Sequence, residues 1–265
     1  MNQEEKEQFI AKQLISLRKI NKLHEQLKDI DISLEKKYPV VIVEENTYFI
    51  FDLDSAGENY EFKFDNPTHR EFPKGLLAAF PVECYGEQTC AVITKEAFDG
   101  LDGYISIFHE FVHCYQNRNC SEELSKTLEI KAKAIKENNY MWELNHPFPY
   151  ENSTFIKKTK ALYNYFNAKD YNDALNYYKE MKIYLRKIDF EYMIWQQWVE
   201  GFARYIENLI RDRVGINRNI NKLEPPYDRV IFYELGSRYI DLLLTEHINL
   251  KGNIRDLYYK MYTAE

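Results

Sequence analysis

The apolar spacing changes period twice along this chain, and that limits the fold more than any other feature. Ile10, Leu14, Leu17, Ile20, Leu23, Leu27 and Ile30 recur at intervals of three and four, the repeat of one helical face, so a long amphipathic helix opens the protein. From Tyr38 the pattern becomes β-like. Val40 to Val43 and Thr47 to Phe51 are β-rich runs, and Tyr60, Phe62 and Phe64 alternate with polar residues, which predicts a small antiparallel sheet. A stretch rich in loop formers, from Asn66 to Pro81, precedes one more short strand at Ala91 to Thr94. From about Asp102, taken as a helix N-cap, the helical period returns and persists. Helices are expected from there to about Asn117, then at Glu122–Asn139, Ser153–Ala168 and Tyr171–Lys187. Two more follow, one around Trp195, Trp198, Phe202 and Ile206 and one after Pro225-Pro226 through Leu244. Strands first and helices afterwards mean α+β, mostly helical.

With 265 residues, 45% of them hydrophobic, the chain has ample material for a core and reads as a single domain over residues 1–265. Residues 1–118 form its sheet-containing lobe and 119–265 its helical lobe. No apolar run approaches the roughly 18–20 residues of a membrane span, and MNQEEKEQF lacks the regions of a secretory signal. The expectation is a soluble, cytoplasmic protein with no membrane partner. A net charge of −7 argues against nucleic acid, which demands concentrated Lys and Arg. Cys84, Cys90, Cys114 and Cys120 contain no CxxC pair and read as buried reduced thiols.

The chemistry concentrates in His109-Glu110-Phe111-Val112-His113, an HExxH motif within a segment whose spacing is already helical. Residues four apart share a helix face, so both imidazoles reach one zinc ion while Glu110 projects beside them. With 6 His in the chain, random order yields the pattern only about 0.01–0.02 times. Such a zinc needs a third protein ligand and an open position for water. Positions 116 and 119 are Gln and Asn, so the compact HExxHxxGxxH arrangement is absent. Glu200, on an apolar helix where a lone carboxylate is costly, is the candidate, and Gly201 and Ala203 allow a neighbouring helix to pack closely.

His109 to His113, followed by Glu200-Gly201-Phe202-Ala203-x-Tyr205-x-Glu207, resembles the gluzincin zinc metallopeptidases, above all the aminopeptidase-N-like enzymes with their NEGFAxYxE signature. Tyr233-Glu234-Leu235-Gly236 is similar to that family's YxKG segment. The resemblance spans about 130 residues. It implies a zincin-like (thermolysin-like) fold in which Ala91 to Thr94 is the edge strand above the HExxH helix. It also implies one Zn²⁺ per chain on His109, His113 and Glu200, Glu110 as general base, Tyr233 as oxyanion donor, and a peptide or protein substrate. Tyr227 is the substitute if the register differs.

Three departures matter. The 87-position gap between His113 and Glu200 requires a helical insertion of roughly Ser121 to Ile188. Position 204 is Arg where an acid would orient a ligand, and its expected partner is Glu200 or Glu207, with a substrate carboxylate as the alternative. Gly86-Glu87-Gln88-Thr89-Cys90 carries Thr where the family's amine-gripping Glu would stand, which argues against aminopeptidase activity. Two other functions compete: a non-catalytic protein on a zincin scaffold, and a di-iron carboxylate protein built on the ExxH pairs Glu110/His113 and Glu143/His146. His146 is otherwise expected to be an exposed loop residue.

Overall fold

The computed structural model describes residues 1–221 and 223–264. It is α+β and mostly helical, and divides into two compact units, residues 1–118 with 209–217 and residues 119–208 with 218–264. Among the described residues no helix is long and apolar enough to cross a membrane.

In the first unit, helix α1 (Gln3–Leu27) starts at Asn2, whose side chain accepts from the Glu5 amide while Glu5 answers to the Asn2 amide, a reciprocal cap. It buries Leu17, Ile20 and Leu27; Ile30 lies just beyond its end. Five strands follow: β1 (Val40–Glu44), β2 (Thr47–Leu53), β3 (Tyr60–Pro67), β4 (Leu77–Val82) and β5 (Gln88–Thr94), in the order β3-β2-β1-β5-β4. Central β1 is antiparallel to β2 but parallel to β5. The sheet is therefore mixed rather than antiparallel throughout. β5 is interior and β4 is the edge, which corrects the placing of Ala91 to Thr94 at the sheet margin. β4 was hidden in the loop-like stretch because Pro81 breaks the strand signal; at an edge its missing N–H is tolerated.

Val40 to Val43 are all buried, as expected of a strand covered on both faces. On one face Phe9 of α1 meets Phe49, their ring centroids 4.8 Å apart, and Phe111 of helix α2 (Leu101–Gln116) meets Tyr38. On the other, Phe72, Leu76 and Phe80 close over Val41, Ile50 and Val92. Helix α2 begins at Gly100, not Asp102, whose carboxylate instead pairs with Arg211 at 2.8 Å. Gly103 allows the first turn to pack on the preceding bend, since a Cβ there would stand 2.2 Å from the Ala97 carbonyl oxygen.

The second unit is helical: α3 (Glu122–Lys126), α4 (Glu129–Lys136), α5 (Trp142–Asn145), α6 (Ser153–Ala168), α7 (Tyr171–Tyr184), α8 (Lys187–Val214, to residue 208), α9 (Ile231–Glu246) and α10 (Ile254–Thr263). The helix expected over Glu122–Asn139 is broken in two, because Thr127 and Leu128 bond back to Leu124 and Ser125 and close the first turn. Helix α10 was not expected at all. Asn152 and Asp170 cap α6 and α7 through their side chains. Helices α8 and α9 touch backbone to backbone: a Cβ on Gly201 would stand 2.5 Å from Gly236 Cα, and one on Gly236 2.2 Å from the Gln197 carbonyl. Tyr178 of α7 stacks on Tyr239 of α9 at 3.9 Å and donates to Gln197 Oε1 of α8 at 2.7 Å, knitting the three helices.

Candidate metal centre

His109 and His113 occupy one face of α2, one turn apart, with ring centroids 4.8 Å apart and planes inclined at 75°. His109 and Glu110 are buried and His113 is half-buried. His113 Nδ1 meets Gln116 Oε1 at 2.9 Å. With that oxygen accepting, Nδ1 carries the ring proton and Nε2 is the lone-pair nitrogen, the state a metal requires. Gln116 is itself 1% exposed, so its amide is held. In the sequence Gln116 stands where the compact motif would carry Gly, and its spacing of three from His113, one helical turn, is the signal for this contact.

Glu200 lies on α8. His109, His113 and Glu200 each offer one ligand atom, and these atoms lie within 4.8 Å of one another. Among the described residues they are the only group of three or more His, Cys, Asp or Glu able to hold a metal ion. Two imidazoles and one carboxylate are a donor set that zinc accepts, leaving a fourth position.

The surroundings of Glu200 within its own unit are polar and cationic. Arg229, in the turn before α9, donates from Nη1 to Glu200 Oε1 at 3.1 Å and to Gln196 Oε1 at 3.2 Å. Its guanidinium lies 5.3 Å from the Tyr233 ring centroid, and that of Arg204 lies 5.5 Å away. Burial and the neighbouring Glu200 carboxylate raise the Tyr233 phenol well above the usual tyrosine range, so it stays protonated as a donor. Around Arg229 burial opposes the charge, but Tyr233 and Glu200 outweigh it. Tyr227 is turned elsewhere, its hydroxyl on the Leu223 carbonyl at 3.3 Å and its ring against Phe155.

Other residues singled out from the sequence have ordinary tasks. Arg204 is buried and spends its guanidinium on Glu207 at 3.2 Å and the Asn219 carbonyl at 3.2 Å. His146 is not a free loop histidine: its Nε2 meets Asp189 Oδ1 at 2.8 Å, Arg186 holds the same carboxylate, and Tyr192 packs on the ring. The partner is 43 residues away in sequence, too far for local pattern to reveal. Gly86 and Glu87 turn the chain into β5, which begins at Gln88, and Thr89 donates to Asn117 Oδ1 at 2.7 Å. All four cysteines are free. Burial pushes the Cys120 thiol up to about 11 and the Cys90 thiol up to about 12, which keeps them unreactive. No family model, no characterised protein and no solved structure matches this chain.

Proposed function

We propose that this protein is a zinc-dependent metallopeptidase of gluzincin type, with a zincin-like arrangement of sheet and HExxH helix. The observation that carries the reading is the convergence of His109, His113 and Glu200 ligand atoms to within 4.8 Å, from positions separated by 87 residues, with Glu110 on the same buried stretch of α2. In support of the fold, α2 follows β5 after one short 3-10 turn at Lys95–Phe98 and packs against β4 and β5.

His109, His113 and Glu200 would hold the ion, which supplies Lewis-acid chemistry, acidifying water and polarising a carbonyl. Glu110 takes a proton from the attacking water and returns it to the amine nitrogen as the C–N bond breaks, the work of a positioned general base and then acid. Tyr233, kept protonated, donates to the oxygen on which negative charge develops. Gln116 fixes the tautomer of His113 throughout.

Metal content per chain in the purified protein, compared with Glu200→Ala and Glu110→Gln, tests the reading. One zinc in the parent and in Glu110→Gln is expected, with markedly weakened binding in Glu200→Ala. Hydrolysis of a mixed peptide library should fall about 10²–10⁴-fold in Glu110→Gln. Zinc indifferent to Glu200, or hydrolysis indifferent to Glu110, rejects the proposal.

A further inference from the structure

We infer that Arg229 is the specificity-determining residue of this site and takes a free carboxylate on the substrate, namely the C-terminal carboxylate of a peptide. The inference rests on the metallopeptidase reading and adds to it the end of the chain from which cleavage proceeds.

Two cations flank the Tyr233 ring, and they differ in what they have left to offer. Arg204 is 8% exposed and bound to Glu207, the Asn219 carbonyl and Asn221. Arg229 keeps a quarter of its side-chain surface open. Both of its hydrogen bonds to carboxylate and amide oxygens run through Nη1. The Nε–Nη2 edge, the fork that matches a carboxylate with two parallel hydrogen bonds, therefore carries no carboxylate or amide oxygen among the described residues, the Tyr233 hydroxyl being the guanidinium's other hydrogen-bond partner. Glu200, Gln196 and the Tyr233 face fix the guanidinium in position, so little side-chain entropy is lost when an anion docks.

Charge points the same way. A permanent cation hydrogen-bonded to a ligand of a divalent ion repels that ion, and a neutral amide would steady Glu200 without the repulsion. An anion arriving with the substrate removes this penalty. Arg229 also stands just before the first turn of α9, whose positive end favours the same sign of ligand. Asp228, the adjacent acid, is occupied by the Val230 amide at 2.8 Å. A carboxylate gripped beside Glu200 puts the cleaved bond within about three residues of the C-terminus, at 3.3–3.6 Å per extended residue.

The test uses the full chain and three acetylated tetrapeptides of one sequence: the C-terminal acid, its amide, and the amide with Asp as third residue. Dissociation constants are measured by calorimetry on metal-free protein for the parent, Arg229→Gln and Arg229→Lys, and hydrolysis is followed on the zinc-loaded forms. The parent should bind the acid at least tenfold more tightly than either amide. Arg229→Gln should bring the acid-to-amide ratio to about one, and Arg229→Lys should retain part of the preference. Equal binding of acid and amide by the parent, no binding of any peptide at millimolar concentration, or a preference that survives Arg229→Gln overturns the inference. If Arg229→Gln fails to fold, the parent ratio and Arg229→Lys decide it. An Asp-bearing amide that binds like the acid overturns the C-terminal assignment in favour of a side-chain carboxylate. Acid preference without hydrolysis of any peptide rejects the peptidase reading alone; hydrolysis without acid preference rejects this inference alone.

Discussion

Gln116 Oε1 accepts the Nδ1 proton of His113 at 2.9 Å, so a neutral amide orients a histidine whose equivalent in many metal sites is held by a carboxylate. An amide fixes the ring and its tautomer but pushes less electron density onto Nε2. Gln116→Ala should weaken zinc binding about 10–100-fold, and Gln116→Glu should restore or exceed the parent affinity. Competition titration against a chelator of known affinity measures both. Unchanged binding in Gln116→Ala would show that the contact does not serve the ligand.

Tyr233 has two guanidinium groups near its ring, Arg229 at 5.3 Å and Arg204 at 5.5 Å from the centroid, and its phenol is held neutral by burial and by Glu200. Removing only the hydroxyl, in Tyr233→Phe, should lower kcat about 10²–10³-fold, as loss of one oxyanion donor does. Zinc content and KM should change little. Tyr227→Phe, at a hydroxyl bonded to a backbone carbonyl, should leave kcat within a factor of two or so of the parent. Reversed sensitivities would reassign the donor.

The α8–α9 contact has no room for a side chain. In Gly201→Ala the new methyl would lie 2.5 Å from Gly236 Cα and 2.6 Å from its carbonyl carbon, backbone atoms that move only if a whole helix shifts. Destabilisation of about 1–3 kcal/mol or more is expected in denaturant unfolding. Gly215→Ala is the comparison, since its Cβ would meet nothing within 4 Å and only its positive φ of 76° would strain.

His24 links protonation to the stability of the first unit. Its Nε2 donates to the Leu34 carbonyl at 2.8 Å, and Nδ1 is buried with no hydrogen-bond partner. Burial holds the imidazole below the usual histidine value, against weaker opposing effects of the Leu34 hydrogen bond and Glu25. The unfolded chain thus takes the proton first. Stability from this group is present above about pH 6.5 and is lost as the pH falls through that value toward the lower folded one. The drop in unfolding midpoint between about pH 7.5 and pH 5.5 should be smaller in His24→Gln. An identical drop in both proteins would remove His24 as the source.

The elements legible in the sequence are those whose cause is local. Helix α6 runs over Ser153–Ala168, the span expected from the sequence, and β1 to β3 fall on the β-rich runs. Strand β4 was missed because Pro81 and the flanking loop formers mask it, and β5 was misplaced because sheet order depends on pairing. No single strand encodes that β1 pairs in parallel with β5.

The candidate site divides along the same line. Sequence alone determined that His109 and His113 share a helix face with Glu110 projecting beside them, since four-residue spacing on a 3.6-residue turn brings the two imidazoles one above the other, and it marked Glu200 as a carboxylate out of keeping with its apolar helix. Tertiary structure decided which cation stands beside Glu200. The sequence drew attention to Arg204, one turn away, yet packing consumed it on Glu207 and Asn219 and brought Arg229 from 29 residues further on. Helical periodicity acts over a turn or two; the Gly201–Gly236 contact that sets α9 against α8 acts over 35 residues, and only the folded chain makes it.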